Sequence, residues 1–505
     1  MKTEEKRQLM QQALDEQKSR QERNQLGQYA TPYALAREIM EYVVGLSRDR
    51  AHLEMLEPAC GTGVFFSALK DVAGPAALHG SLGFEIDPHY YQPSAALWKA
   101  MGVEMVCGDF LSAAVTKRFP LLVANPPYSR HHHICPETKT ELQDAVKEQT
   151  GLVLSGLAGL YCYFLLLSTR WLTDGGIACW LIPSEFMDVN YGKTIRRYLL
   201  EQVELLRIHR FDENDLQFSD ALVSSAVVVF RNRRPAGRHV QFTFGGSFSS
   251  PSIQRDIAPS LLGATDKWHL LVNNPGVHAA EGRLLGDYFE VKRGIATGCN
   301  NFFVVSPETV ARYGLPPEYL TPILPSPRKL QADIVRCNNG LPAVDNPSFL
   351  FSTDDDIETI ARRHPSVLEY ITEGEARGVN KSYICSRHAP WYSCEKRTSA
   401  PFVIPYMGRG DNGRRMFRFI LNESSAIATN GYLLMYPKAE YRYLFRNSDF
   451  RYQVWEQLNT LPAELFLQHG RFYGGGLHKM EPRELLSMPA GTIAPLLSNE
   501  MVFVA

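Results

Sequence analysis

Asn125-Pro126-Pro127-Tyr128 follows the apolar run Leu121-Leu122-Val123-Ala124, which reads as a short buried strand. At the end of a strand the tetrapeptide offers an amide, a rigid backbone carbonyl and an aromatic face. These parts can hold a planar exocyclic amine. Such an amine is a poor nucleophile because its lone pair is delocalised into its ring. Acceptors on its two N–H bonds, the Asn125 side-chain oxygen and the Pro126 carbonyl, favour a pyramidal nitrogen and free that lone pair. Both acceptors strengthen as positive charge develops, which is selective stabilisation of a transition state.

About 65 residues upstream lies Glu57-Pro58-Ala59-Cys60-Gly61-Thr62-Gly63. Its glycines follow one strand and open a helix, so a ligand can approach the backbone closely. The full GxGxxG spacing is missing, which points away from a dinucleotide. Phe84-Glu85-Ile86-Asp87 then ends a second strand with acids of the kind that bind ribose hydroxyls. Cys107-Gly108-Asp109-Phe110 ends a third, with an acceptor beside an aromatic, a pairing suited to adenine. Three successive strand ends thus present Glu57, Glu85 and Asp109. No phosphate-gripping lysine follows the Gly loop, so the fitting ligand is an adenosine without phosphates, and S-adenosylmethionine meets that description.

The elements that must position these residues alternate. Strands are expected at 54–56, 81–86, 104–107, 121–124, 176–182, 205–209 and 226–230. Helices are expected at 33–44, 64–72, 90–101, 159–172 and 191–201. This pattern predicts an α/β fold with a doubly wound, mostly parallel seven-stranded sheet, whose ligands bind beyond the carboxyl ends of the strands. A polar helical arm is expected over 1–26 and the catalytic domain over 27–238. The basic stretch 231–238 reads as a linker. A mixed α+β second domain, rich in Pro, Gly, Asn and Tyr, then occupies 239–505. The uncharged stretch 150–169 approaches the length of a membrane span, but its glycines and flanks favour a wholly buried helix.

Composition adds bounds. The 505 residues carry a formal net charge of −1, so no global field advertises a nucleic-acid partner. The nine scattered cysteines contain no CxxC pair, which points to a reducing cytoplasm and no structural zinc. The charged, Gln-rich N-terminus lacks the apolar core of a signal peptide. His131-His132-His133 with Cys135 lacks a second ligand pair, so no metal is expected.

The ordered motifs LGQYATP (26–32), LEPACGTG, FEIDP, GDF and NPPY resemble the TaqI-like gamma class of N6-adenine DNA methyltransferases of type II restriction–modification systems. The resemblance covers about residues 26–235. It implies that Thr31 and Glu57 face the methionine end of S-adenosylmethionine, above the loop of Ala59, Gly61 and Gly63. Glu85 would take the ribose hydroxyls, Ile86 would lie against the adenine ring, and Asp109 would accept from its amino group with Phe110 alongside. Tyr29 departs from the smaller residue of the family near the target base. Asn125, Pro126, Pro127 and Tyr128 would act on a flipped adenine, with Tyr128 stacking on it and Phe218 on its other side. Arg130 and the histidines after it would approach phosphate or order the loop over the base. Pro183-Ser184-Glu185-Phe186 reads as structural.

The family places a target-recognition domain after the catalytic sheet. Segments 292–303, 430–432 and 474–480 resemble parts of such domains. Arg293, Asn300, Arg409, Arg414, Arg415 and Lys479 are the candidate DNA contacts. The implied partners are double-stranded DNA and a separately encoded endonuclease, with no membrane; no fused nuclease motif is evident. Alternative activities are N4-cytosine methylation, whose loop more often begins with Ser, protein glutamine methylation through an NPPY loop, and a catalytically silent specificity module.

Overall fold

The computed structural model describes all residues except 1, 20–21, 24–26, 48–52, 130–133, 213–223, 266, 270, 272–282, 410–416, 474–476 and 503–505. The chain divides into two compact units, the first running to Val277 and the second taking in most of the remainder.

In the first unit all seven expected strands form: β1 (Met55–Glu57), β2 (Leu82–Glu85), β3 (Glu104–Cys107), β4 (Phe119–Ala124), β5 (Leu172–Pro183), β6 (Glu204–Arg210) and β7 (Ser225–Arg231). Two more, β8 (Val240–Gly246) and β9 (Pro251–Ile257), extend the sheet to the order β3-β2-β1-β4-β5-β7-β6-β8-β9. β3 to β5 are parallel, while β7 runs antiparallel to both β5 and β6. Continuous apolar strands such as β4 and β7 are buried on both faces. Alternate residues of β4 serve opposite layers: Leu121 and Val123 join one core, Leu122 and Ala124 the other.

Helices α1 (Thr3–Glu16), α2 (Tyr33–Leu46), α3 (Val64–Ala73), α4 (Pro88–Lys99), α5 (Pro136–Thr150), α6 (Leu160–Leu167) and α7 (Gly192–Glu201) accompany the sheet. The helix expected over 159–172 is the shorter α6 plus a 3-10 turn, Ser168–Trp171. The broader uncharged stretch from 150 does not continue it. Gly151 has φ 69° and caps α5 in the left-handed region, and the chain stays irregular until Gly159. α5 itself was not anticipated, although Pro136 at its start and Gly151 past its end mark it. Among the described residues no helix is long and apolar enough to cross a membrane.

The boundary expected at 238/239 falls inside this unit instead. β8 pairs in parallel with β6, with Arg207 opposite Gln241. The basic stretch is pinned to the sheet, since Arg233 grips Glu204 through Nε and Nη2 at 2.6 and 2.8 Å. Its charge therefore marks an ion pair rather than a flexible connection. The N-terminal arm likewise belongs to the first unit, with α1 packed on α3 and α4.

The second unit is mixed α+β. Its main sheet joins Phe289–Arg293, Tyr432–Pro437, Phe402–Pro405, Ile420–Asn422 and Ile334–Val335, in that order. Helix Ser448–Thr460 and the helices Pro482–Leu486 and Ile493–Val502 contribute Val454, Leu485 and Ile493 to the core beside it.

Candidate active site

The ends of β1, β2, β3 and β4 open on one cavity of ≈ 690 Å³, a volume typical of small-molecule and cofactor sites. Its lining includes Tyr29, Thr31, Glu57, Ala59, Gly61, Glu85, Ile86, Asp109, Phe110, Asn125 and Pro127. Gly63 stands just outside it, at the N-cap of α3 and against the Trp98 indole. Pro126 and Tyr128 are not part of the lining.

Each acid is held by its own strand end. Glu85 is 7% exposed and accepts from Gly61 N at 2.8 Å and Asp87 N at 2.9 Å, so it ties the Gly loop to β2. Asp109 accepts from Leu111 N at 2.9 Å. Phe110 is buried in an aromatic stack with Phe164, centroids 5.5 Å apart, while Ile86 is 64% exposed at the cavity edge. An exposed isoleucine beside two carboxylates suits the flat face of a heterocycle.

Glu57 is 1% exposed, and its Oε2 has no partner among the described residues. Burial pushes its carboxyl well above the usual carboxylate range; nearby Arg7 opposes that rise and Glu85 adds to it. The cavity lining counts Asp15, Glu57, Glu85, Asp87 and Asp109 against Arg7 and Lys18. An orphaned buried carboxylate oxygen in an acid-rich cavity fits a ligand that carries positive charge, as the sulfonium and ammonium of S-adenosylmethionine do.

A carboxyl whose folded pKa is raised favours the fold below its unfolded pKa, and that benefit is lost as pH rises through the folded value. Glu57→Gln is therefore expected to melt like wild type near pH 4 and increasingly above it as pH rises toward 8, without ligand. The same variant should lose about tenfold in cofactor affinity, one charge-assisted hydrogen bond's worth. Thermal melts across pH and binding titrations check both.

Asn125 shows the most specific geometry. Its Nδ2 donates to the Tyr29 carbonyl at 2.9 Å and to Thr31 Oγ1 at 3.0 Å. A carbonyl can only accept, so the amide is oriented, and Oδ1 is left buried without a partner among the described residues. Sequence reasoning placed Thr31 at the cofactor and did not foresee that 29–31 aims the Asn125 amide. The approach is close: Gly27 has φ 67°, and a Cβ there would stand 2.5 Å from Tyr128 N. Gln28 Nε2 also reaches Asp87 Oδ2 at 2.9 Å.

Tyr128 lies behind the lining residue Tyr29, with ring centroids 5.7 Å apart, and its hydroxyl donates to Leu181 O at 3.1 Å on β5. Phe218, Arg130, the His131-His132-His133 run, Arg414 and Arg415 lie outside the described residues. In the second unit Arg293 and Lys479 come together on one ring, 4.1 and 5.0 Å from the Tyr406 centroid, and Lys479 pairs with Glu481 at 2.8 Å. Asn300 opens a short helix elsewhere in that unit and accepts from Thr297 Oγ1 at 2.7 Å. Arg409 ends strand Met407–Arg409, opposite Leu477; its side chain lies outside the description.

A doubly wound, mostly parallel sheet with this cavity at its strand ends is the fold of class I S-adenosylmethionine-dependent methyltransferases. Comparison with known proteins narrows the class. The family model described as Eco57I restriction-modification methylase matches residues 95–217, and that of the type II methyltransferase M.Eco57I, C-terminal domain, matches 277–502. The chain is 24% identical to the type II methyltransferase M.AccI of Acinetobacter calcoaceticus, over 96% of this chain and 89% of that one. It is 26% identical to M.XamI of Xanthomonas campestris pv. amaranthicola, over 91% and 84%. Among solved structures, the type IIL restriction-modification enzyme MmeI in complex with DNA aligns with a TM-score of 0.55 at 12% identity, over 83% of this chain and 63% of that one. The DrdV–DNA complex aligns with a TM-score of 0.55 at 13% identity, over 93% and 56%. The chain thus spans less than two thirds of those two solved chains, and the likeness to them is one of fold. Together these matches make the chain a type II restriction–modification methyltransferase, a class of enzyme that uses S-adenosylmethionine as cofactor.

Proposed function

We propose that this protein transfers a methyl group to the N6 amino group of an adenine flipped out of duplex DNA. The observation that carries this reading is the oriented Asn125 amide, whose buried Oδ1 is unpaired at the edge of the cofactor cavity. Asn125 Oδ1 and the Pro126 carbonyl accept the two amine hydrogens, and the nitrogen lone pair turns toward the cavity. Tyr128, anchored through its hydroxyl, offers its ring to the base beside the cavity, and Phe218 closes the other side. Glu57, Glu85, Asp109 and Ile86 hold the cofactor. Bound S-adenosylmethionine supplies an electrophilic methyl on a sulfonium. The new N–CH3 bond would form as the sulfonium S–CH3 bond breaks, leaving neutral S-adenosylhomocysteine, and the methylated amine would give up one proton to water; no metal takes part. Extrusion of the base costs a few kcal/mol of unstacking, which stacking of roughly 1–3 kcal/mol offsets.

The second unit reads the target sequence in this account, as the M.Eco57I C-terminal match and the DNA-bound fold relatives support. Arg293, Asn300, Arg409, Arg414 and Lys479 are its candidate contacts. The partners are double-stranded DNA and a separately encoded endonuclease, in the cytoplasm. N4-cytosine methylation would use the same two acceptors, and the NPPY loop favours adenine over it. Incubation with labelled methyl donor and plasmid DNA, with digestion to nucleosides afterwards, tests the reading. Label is expected in N6-methyladenine; label in N4-methylcytosine or in added protein would reject it.

A further inference from the structure

α1 presents Arg7, Gln11, Asp15 and, just past its end, Lys18 to the cofactor cavity, residues spaced to share one helical face. Only Arg7 and Leu14 of the helix are buried, so little apolar area holds it in place. Polar bonds hold it, and they end on the two loops that carry the cofactor acids. Arg7 Nη1 donates to Thr62 Oγ1 at 2.8 Å, and Thr62 Oγ1 donates to Gln11 Oε1 at 2.5 Å, both on the Gly loop after Glu57. Beyond Glu85, Tyr90 Oη donates to Asp15 Oδ1 at 2.7 Å and Lys18 pairs with Asp87.

Arg7 is 4% exposed. Its Nε and Nη2 clasp Glu4 at 2.8 and 2.7 Å. With the bond to Thr62 this uses three of the five guanidinium N–H groups and leaves two. Arg7 and Lys18 are the only cations among the described lining residues, and Lys18 is committed to Asp87. Arg7 lies near enough to Glu57 to act on its charge, and Glu57 Oε2 is the unpaired buried acceptor. A guanidinium with spare donors beside an unpaired carboxylate is complementary to the two charged groups of an α-amino acid.

We infer that α1 is a lid over the cofactor cavity, and that Arg7 binds the α-carboxylate of the cofactor's methionine while Glu57 takes its ammonium. This rests on the S-adenosylmethionine reading and extends it to the N-terminal helix. Arg7 keeps its hold on Glu4 and Thr62 and offers its two remaining N–H groups to the ligand.

Equilibrium binding to the full chain tests it, with S-adenosylmethionine and its decarboxylated analogue, in wild type and Arg7→Gln. Wild type is expected to favour the carboxylate-bearing ligand by about tenfold or more. Arg7→Gln should erase that preference and bind the decarboxylated analogue within about twofold of wild type, the signature of a pairwise interaction in a two-by-two cycle. Arg7→Lys should recover part of the preference. A wild type that binds the two ligands equally overturns the proposal. So does a variant that keeps the preference, or one that weakens both ligands in parallel because Arg7 only props the Gly loop. Failure of wild type to bind either ligand would instead remove the cofactor reading beneath it.

Discussion

Asn125→Ala is expected to slow methyl transfer by about 10²–10³-fold or more, the usual cost of removing one preorganised group aimed at developing charge. Cofactor affinity should stay near wild type, because the acids proposed to hold the cofactor lie at the ends of β1, β2 and β3 and none of them bonds to Asn125. The variant removes the unpaired Oδ1 and also frees the Tyr29 carbonyl and Thr31 hydroxyl that fix it. Asn125→Asp separates the two effects. It keeps an oxygen toward the substrate but cannot donate to the Tyr29 carbonyl 2.9 Å away. It should therefore lose orientation and remain far below wild type. Single-turnover rates at saturating cofactor measure both variants. A rate within a few-fold of wild type in Asn125→Ala would remove the two-acceptor account.

Gly27→Ala should be nearly as damaging, although Gly27 touches no reacting atom. Its φ is 67°, and a Cβ would stand 2.5 Å from Tyr128 N and 2.8 Å from Ser129 N. Both neighbours are backbone, so no side chain can swing aside; either the 27–31 segment or the Asn125 loop must shift. A displacement of about 1 Å at a positioned reactive group can cost about 10²-fold. The strained φ adds roughly 1 kcal/mol or more of destabilisation. Lower rate with a modest fall in melting temperature and near-normal cofactor binding is the expected pattern. Full activity would mean that the contact between these two segments does not set the Asn125 geometry.

The catalytic sheet was legible because its strands are short apolar runs and its acids fall at their ends. A run such as Leu121-Leu122-Val123-Ala124 buries on both faces and can only deliver the residues after it to an edge of the sheet. β8 and β9 were missed for a local reason. Arg231, Arg233, Arg234 and Arg238 read as a solvated connection, whereas Arg233 spends its charge on Glu204. Nothing within residues 231–238 reveals that Glu204, nearly thirty positions earlier, lies beside them.

The site was readable residue by residue but not as an arrangement. Glu57, Glu85 and Asp109 do converge on one cavity. That Asn125 leans on Tyr29 and Thr31, across nearly a hundred residues of chain, emerges only from tertiary packing. The polar stripe of Arg7, Gln11 and Asp15 was available at helical spacing. It went unread because a polar face normally marks solvent, and here it faces a cavity lined with charge. Tyr128 shows the same limit: the motif suggested a ring for the target base, and only packing reveals that its hydroxyl is anchored on Leu181 O with the ring beside Tyr29.

The structure of the chain bound to its target duplex and a non-reactive cofactor analogue tests the central claim most directly. Methylation-aware sequencing of DNA from cells expressing the protein supplies the target. The account predicts an everted adenine whose N6 lies about 3 Å from both Asn125 Oδ1 and the Pro126 carbonyl, with the Tyr128 ring on its face. A base still stacked in the duplex, or an Asn125 Oδ1 bonded to the protein rather than to the base, would contradict it.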